Sequence, residues 1–599
     1  MTTAPGRRVH REPKGDAQKL TAVTGLAALS LDALSSVAYG PEAIVLALVA
    51  AGSAATSATL PITIAIAVLL LVLVLSYRQV IAVHPNGGGA YSVAKADLSR
   101  PVALLAAASL VVDYVLTVAV SLAAGAASLA SVFPALGGYL LPITLGGLVL
   151  LATINLIGLV ESAVTVMIPT IVFVLAVGAA AIVAIVNPGG APIGQDLGAI
   201  QGTEALGVVL VLKAFAAGCS ALTGVEAIAN GVPAFRTPAV QRAKRTELSL
   251  GLLLGVLLIL IAVAISVHHL VPRGGVTILA QVTAIAFGTG WPFFVTNIAV
   301  TLVLLFAANT SFAGLPVLMN LLARDHRLPH LFTLRSEKPV YRVGVVALAI
   351  LAAVLLVVLD ADTNRLLPLF AIGVFIGFTI SQVGLVRHWF RTREPGWRPR
   401  AALNAFGALL TALAAVVFLV SKFTEGAWVL LLILPALILL LGGVERYYAA
   451  VGRQLGLGTA LPKPRDVADD PLVLIPVSDV SARTALALQT AMRLGGRLEA
   501  VAVDNEPGSA KRLSAAWKAW DCGVPLTVLP SPHRSLVTPL VAYVRAQVRE
   551  GADVTVLLAE VEPRHRWQEV FHNQRGTVLA AVLRAQTDAV IATVPFRLR

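Results

Sequence analysis

What most constrains this chain is a succession of apolar segments, each near or above the ~20 residues that a helix needs to cross a bilayer. They fall at roughly 20–50, 60–83, 101–132, 140–160, 163–187, 206–232, 247–272, 291–320, 341–359, 364–388, 402–421 and 427–445. A soluble fold of 599 residues has no interior large enough for them, since 57% of the chain is hydrophobic and only 13% charged. Mean hydropathy is +0.85. The class that fits is a polytopic α-helical membrane protein, with the lipid bilayer as its partner.

Twelve spans put both termini on one side, and Lys and Arg decide which. The net charge of +13 does not imply nucleic acid, because the basic residues gather at alternate ends of the spans. One set of loops holds Arg78, Lys95 and Arg100; Arg236, Arg242, Lys244 and Arg245; Arg324, Arg327, Arg335, Lys338 and Arg342; and Arg387, Arg391, Arg393, Arg398 and Arg400. The opposite loops hold little beyond Arg273, Arg365 and Lys422, and only the turn near Glu161 lacks its expected basic residue. Both termini are therefore expected in the cytoplasm. Residues 1–19, with Arg7, Arg8, Arg11 and Lys14, form a basic cytoplasmic tail with no convincing cleavage site. Cys219 and Cys522 lie far apart and imply no disulfide framework.

The transmembrane region runs over 20–449, followed by a Gly- and Pro-containing linker at 450–470 and a soluble region at 471–599. There, β-branched runs at Leu472–Val477, Leu498–Val503, Leu526–Leu529, Val554–Leu558 and Ala589–Val594 alternate with helical patterns at Ser481–Leu494, Lys511–Trp520, Leu536–Arg549 and Thr577–Gln586. That alternation predicts an α/β domain with a mostly parallel sheet. It carries no G-x-G-x-x-G after its first strand and no P-loop, so regulation or dimerisation suits it better than catalysis, and the chain is not expected to be an enzyme.

Two spans break the apolar pattern. The first contains Asp32-Ala33-Leu34-Ser35-Ser36-Val37-Ala38-Tyr39-Gly40-Pro41-Glu42, and the sixth Ser220-Ala221-Leu222-Thr223-Gly224-Val225-Glu226-Ala227-Ile228. Irregular polar backbone at membrane depth is tolerated only where protein encloses a cavity, so both should be discontinuous helices around a substrate. Ser36-x-x-x-Gly40-x-Glu42-Ala43-Ile44 matches Ser220-x-x-x-Gly224-x-Glu226-Ala227-Ile228, five spans apart. An odd number of intervening spans makes the two helices cross in opposite directions. This predicts an inverted repeat of five plus five helices with two more at the end.

The third span adds Asp113, Thr117 and Ser121 at i, i+4 and i+8, one stripe of a helix. Thr117 and Ser121 would equally serve as helix-packing residues. Asp113 resists that reading, having no Lys or Arg nearby in sequence. Asp32, Glu42, Asp113 and Glu226 together outnumber the basic candidate, Lys213. An excess of carboxylates fits a bound cation, a carried proton or both, and a carboxylate shut away from water holds its proton more readily. His268 and His269 at the outer end of the seventh span are taken as a surface pair, and Asp360 and Asp362 as loop charges.

These two broken helices, with His84-Pro85-Asn86-Gly87-Gly88-Gly89-Ala90-Tyr91 after the second span, resemble the amino acid–polyamine–organocation superfamily. The combination of the first break, Asp113-Tyr114-x-x-Thr117-x-x-x-Ser121 and Ser220-Ala221-Leu222-Thr223-Gly224-Val225-Glu226 looks more specifically like the KimA-type branch of the potassium uptake (KUP) family, over essentially the whole chain. The resemblance implies a potassium–proton symporter of the bacterial plasma membrane, with a LeuT-like core and a cytoplasmic α/β domain. It implies homodimers held by that domain and inhibition by cyclic di-AMP. Asp32, Tyr39, Asp113, Thr117, Ser121, Thr223 and Glu226 would lie along the ion path. Of these, Asp32, Asp113, Thr117 and Thr223 would hold potassium; Glu226, Asp32 and Glu42 are proton-coupling candidates. Phe370 departs from the pattern, standing where a tyrosine hydroxyl is expected in the tenth span.

A proton-coupled amino acid permease on the same scaffold is the alternative, disfavoured because Asp32, one turn before Leu34–Tyr39, would repel a substrate carboxylate. A sensor that transports nothing is a poorer reading, since it would not need intramembrane carboxylates on three helices.

Overall fold

The computed structural model describes residues 19–158, 163–187, 189–196, 202, 204–333, 341–423, 426–454, 471–504, 509–531, 535–562 and 575–597. The basic tail up to residue 18, Glu161, Arg335, Lys338 and linker residues 455–470 lie outside them. The chain divides into two compact units, Met1–Leu457 and Gly458–Arg599.

In the first unit, eleven helices among the described residues are long and apolar enough to cross a membrane. The ninth expected span is the shorter apolar helix Arg342–Val358, which completes the twelve. The third, Arg100–Val132, is the most enclosed and packs against the eighth, Trp291–Arg324, and the tenth, Thr363–Thr392. Outward residues such as Val149, Leu175, Val354 and Leu439 stay more than half exposed, as lipid-facing side chains do.

Two short helices were not foreseen. Gly89–Asp97 lies between the second and third spans, and Ile278–Phe287 between the seventh and eighth. Both are too short to register as spans. The first is also preceded by Gly87 and Gly88, which with Gly89 have positive φ and read as turn rather than helix start.

The first span is discontinuous, with helices Ala22–Leu29 and Leu31–Ser35, a 3₁₀ turn Ser36–Ala38, and helix Gly40–Leu48. The sixth is helix Val208–Gly218, 3₁₀ turn Cys219–Leu222 and helix Ala227–Asn230. They pack antiparallel, Leu29 against Gly231, Ala33 against Gly224, Gly40 against Ala221 and Ile44 against Gly218. As one chain advances through its break, the other retreats.

The second unit is a five-stranded, wholly parallel sheet in the order β3-β2-β1-β4-β5: β1 Leu472–Pro476, β2 Arg497–Asp504, β3 Leu526–Pro530, β4 Val554–Glu562, β5 Val590–Arg597. Alternate residues of β1 feed opposite cores. Leu472 and Leu474 pack with Leu540, Val544 and Leu583, whereas Val473 and Ile475 pack with Leu488, Ala491 and Trp517. Helices therefore cover both faces, the doubly wound arrangement that strand–helix alternation requires.

Candidate ion-binding site between the broken helices

The breaks meet through side-chain hydroxyls that satisfy carbonyls freed by the interrupted helices. Ser36 Oγ lies 2.6 Å from Ala33 O and 2.7 Å from Ala221 O. Ser35 Oγ donates to Asp32 O (2.8 Å), and Thr223 Oγ1 to Ser220 O (3.1 Å). Tyr39 Oη and Thr223 Oγ1 are 3.2 Å apart, a hydrogen bond from one break to the other. Gly224 makes the approach possible. Its φ is +78°, and a Cβ there would fall 2.6 Å from Ala33 N and 2.8 Å from Asp32 Oδ2.

Around this junction the carboxylates converge. Asp113 meets Glu226, and Asp32 lies within charge–charge range of both. All three are buried, and Asp32 Oδ1, Asp113 Oδ1 and Glu226 Oε2 have no hydrogen-bond partner among the described residues. No basic side chain is paired with them in any described ion pair. Thr117 and Ser121 are buried on the same helix as Asp113. A small cavity, with about 10 Å³ open to the centre of a water-sized sphere, is lined by Tyr77, Ser109, Asp113, Glu226, Gly373 and Phe378 among others. That is room for one water. A bare potassium ion is about as large.

Phe370 is fully buried. A Cβ on Gly373 would be 3.8 Å from Asp113 N, so Phe370, three residues earlier in the same helix, lies one turn along the face that packs on the third span. Glu42 is elsewhere. Its Oε2 accepts from Ile278 N (3.3 Å), at the N-terminus of Ile278–Phe287, where a carboxylate favours the helix dipole. Lys213 pairs with Glu204 at 3.3 Å, and Asp362 caps the tenth span through Asn364 N. His268 is half-buried, its Nε2 2.7 Å from Ala184 O.

Sequence reasoning missed Tyr77 and Glu247. Glu247 is fully buried although Arg245, two residues before it in sequence, is basic.

The chain is 36% identical over 601 residues to the potassium transporter KimA of Bacillus subtilis, covering 99% of this chain and 98% of that protein. The chain belongs to the KimA family. A family model described as amino acid permease matches residues 25–441, and one described as KimA potassium transporter C-terminal domain matches 468–596. This protein is a multi-pass membrane protein of permease type that carries a C-terminal α/β domain.

In that domain a cleft of about 1340 Å³ opens at the carboxyl ends of the strands, lined by Ser478, Asp479, Arg483, Arg512 and Glu560 among others. This is where open parallel sheets bind ligands. Asp479 is held below the usual carboxylate range. Burial alone would raise it, but hydrogen bonds from Ser481 and Ser478 and the nearby Arg483 outweigh that.

Proposed function

We propose that this protein imports potassium across the bacterial plasma membrane, coupled to protons, with both termini cytoplasmic. The observation that carries the reading is the junction of Asp32, Asp113 and Glu226. Three buried carboxylates stand together with no basic partner among the described residues, in a chain that aligns over 99% of its length with a potassium transporter. Asp32, Asp113, Thr117 and Thr223, with carbonyls freed at the two breaks, replace the ion's hydration shell. Tyr39 and Ser121 line its path, and Phe370 borders it. Glu226, in contact with Asp113, takes up and releases the proton as the core alternates access. Glu42, clasped to Ile278, is the weakest of the proton candidates.

An amino acid permease is the second reading, favoured by the family model over 25–441. Asp32, buried one turn before Leu34–Tyr39 in the first break, argues against it, because it would repel a substrate carboxylate there. Uptake into proteoliposomes decides between them. Potassium should enter under an inward proton gradient and neutral amino acids should not; the reverse result overturns the proposal. The soluble domain serves dimerisation and regulation, its cleft taking cyclic di-AMP. Calorimetry with cyclic di-AMP on the full-length protein tests this, and no heat of binding would remove it.

A further inference from the structure

The water-sized cavity beside the site has a direction. Ser109 lies four residues before Asp113 on Arg100–Val132, one turn nearer the end that bears the basic loops, and both line the cavity. With Thr117 and Ser121 they extend one polar stripe along the third span. The Ser109 hydroxyl donates back to Ala106 O (3.0 Å), so its hydrogen is occupied while its oxygen can still accept. Asp113 Oδ1 and Glu226 Oε2, from two other lining residues, have no hydrogen-bond partner among the described residues. A gap left by packing would be expected to have apolar walls, because burying acceptors without partners is costly.

The remaining walls set the width. A Cβ on Gly377 would stand 3.9 Å from Ala90 Cβ and 4.0 Å from Ser109 Oγ, so the space among these three lining residues exists because position 377 has no side chain. Tyr77 and Phe378 close another side, both buried and packed ring edge to face at 5.7 Å. Ala90 is held from two directions. A Cβ on Gly89 would fall 2.5 Å from Asn230 Oδ1 on the sixth span, and the Tyr91 hydroxyl donates to Asp325 Oδ2 (2.5 Å) on the eighth. Asp325 also pairs with Lys95, half of which is open to solvent.

We propose that this cavity is the exit station of the transported potassium on its way to the basic end. Ser109 is a further ion-facing oxygen there, and Ala90 and Gly377 set the bore. This rests on the potassium reading above and is independent of proton coupling. An ion leaving the junction of the breaks moves one turn along the third span. The Asp113 carboxylate stays with it, and Ser109 Oγ takes over as Thr117 is left behind. The cavity admits one water-sized body, so the ion enters without its hydration shell and larger cations fit poorly.

The test measures potassium and rubidium uptake into proteoliposomes beside melting temperature in detergent. Gly377→Ala adds a methyl that meets no neighbour closer than 3.9 Å and replaces a glycine inside a helix, so it should melt at or above wild type. Its potassium uptake should nevertheless fall at least ~10-fold, and its rubidium uptake further. Ala90→Gly widens the bore and should raise the rubidium-to-potassium ratio by about twofold or more. Ser109→Ala removes one neutral oxygen and should weaken the apparent potassium affinity by roughly fivefold. Potassium uptake by Gly377→Ala within about twofold of wild type, or an unchanged ion ratio in both Gly377→Ala and Ala90→Gly, makes the cavity a packing gap. Either result overturns the exit station and leaves the potassium reading standing. Should Gly377→Ala fold poorly, Ala90→Gly and Ser109→Ala decide, and wild-type ratio and affinity in these two overturn the proposal. Failure of the wild type to take up potassium overturns both readings.

Discussion

Two sets of buried acids in the membrane unit keep opposite company. At the end bearing the basic loops, Asp97 is 3% exposed and faces the Arg391 guanidinium, with Nη2 at 2.6 Å, and two imidazoles, His388 Nδ1 at 3.4 Å and His84 Nε2 at 3.5 Å. Nearby pairs repeat the theme, with Lys95 2.7 Å from Asp325 and Glu445 shared by Arg100 (3.1 Å) and Arg327 (3.5 Å). In the core, Asp32, Asp113 and Glu226 face one another instead. Asp97 is as buried as these three, so burial does not distinguish a structural acid from those proposed to transport. The partner does. Where the chain supplies the cation the acid is a fastener; on the proposed function, the acids with no basic partner among the described residues are kept for an ion or a proton that moves.

The contrast is broken or sharpened first at Asp113. Asp113→Asn should cut potassium uptake by about 100-fold, the ~2–5 kcal/mol that follows loss of a buried charge partner. Its melting temperature in detergent should stay at or above wild type, because the change removes an acid with no cation of its own. A variant with full uptake would take Asp113 out of the site. Asp97→Asn should do the opposite. It leaves Arg391 without its carboxylate and should destabilise by about 1–3 kcal/mol, softened because Arg391 can turn to water. Uptake per folded molecule should hold. Loss of transport without loss of stability would place Asp97 among the moving acids.

The sequence disclosed the core set better than the rim set, for a physical reason. Asp113 in Ser109–Leu116 and the paired breaks at Ser36 and Ser220 violate a strong local rule, that membrane helices be apolar, and a violation is visible residue by residue. The strands and helices of the soluble domain were legible too, within a few residues, because their periodicities are local. The rim contacts join residues hundreds of positions apart, such as Asp97 with His388 and Tyr91 with Asp325, and no local pattern announces them. The surroundings of Glu42 and Glu247 were hidden likewise. One is captured by the distant N-terminus at Ile278, and the other is buried although its neighbours in sequence are basic.

Phe370 tests how finely the core set is tuned. It is buried one turn along the face that packs on the third span, so Phe370→Tyr adds a hydroxyl beside the proposed path. One neutral hydrogen bond, about 1 kcal/mol, should tighten the apparent potassium affinity by roughly fivefold. Concentration dependence of uptake measures it. An unchanged affinity would mean that the position is packing alone.

The smallest effect belongs to the most ordinary rim acid. Burial alone would raise the pKa of Asp325, but hydrogen bonds from Lys95 and Tyr91, with the charge of Arg327 nearby, hold it below the usual carboxylate range. Folded protein thus binds this proton less readily than unfolded chain. The stabilisation is complete above the unfolded value near 4 and is lost as pH falls through the lower folded value. Lys95 is half exposed, so the term is worth only about 0.2–1 kcal/mol. Melting temperature followed from pH 5 down to pH 3 should fall in the wild type and fall less in Lys95→Ala. If the two curves run parallel, Asp325 is not fastened by its cation. The rim would then differ from the core only in where it lies, and partnership would lose its standing as the mark of a structural acid.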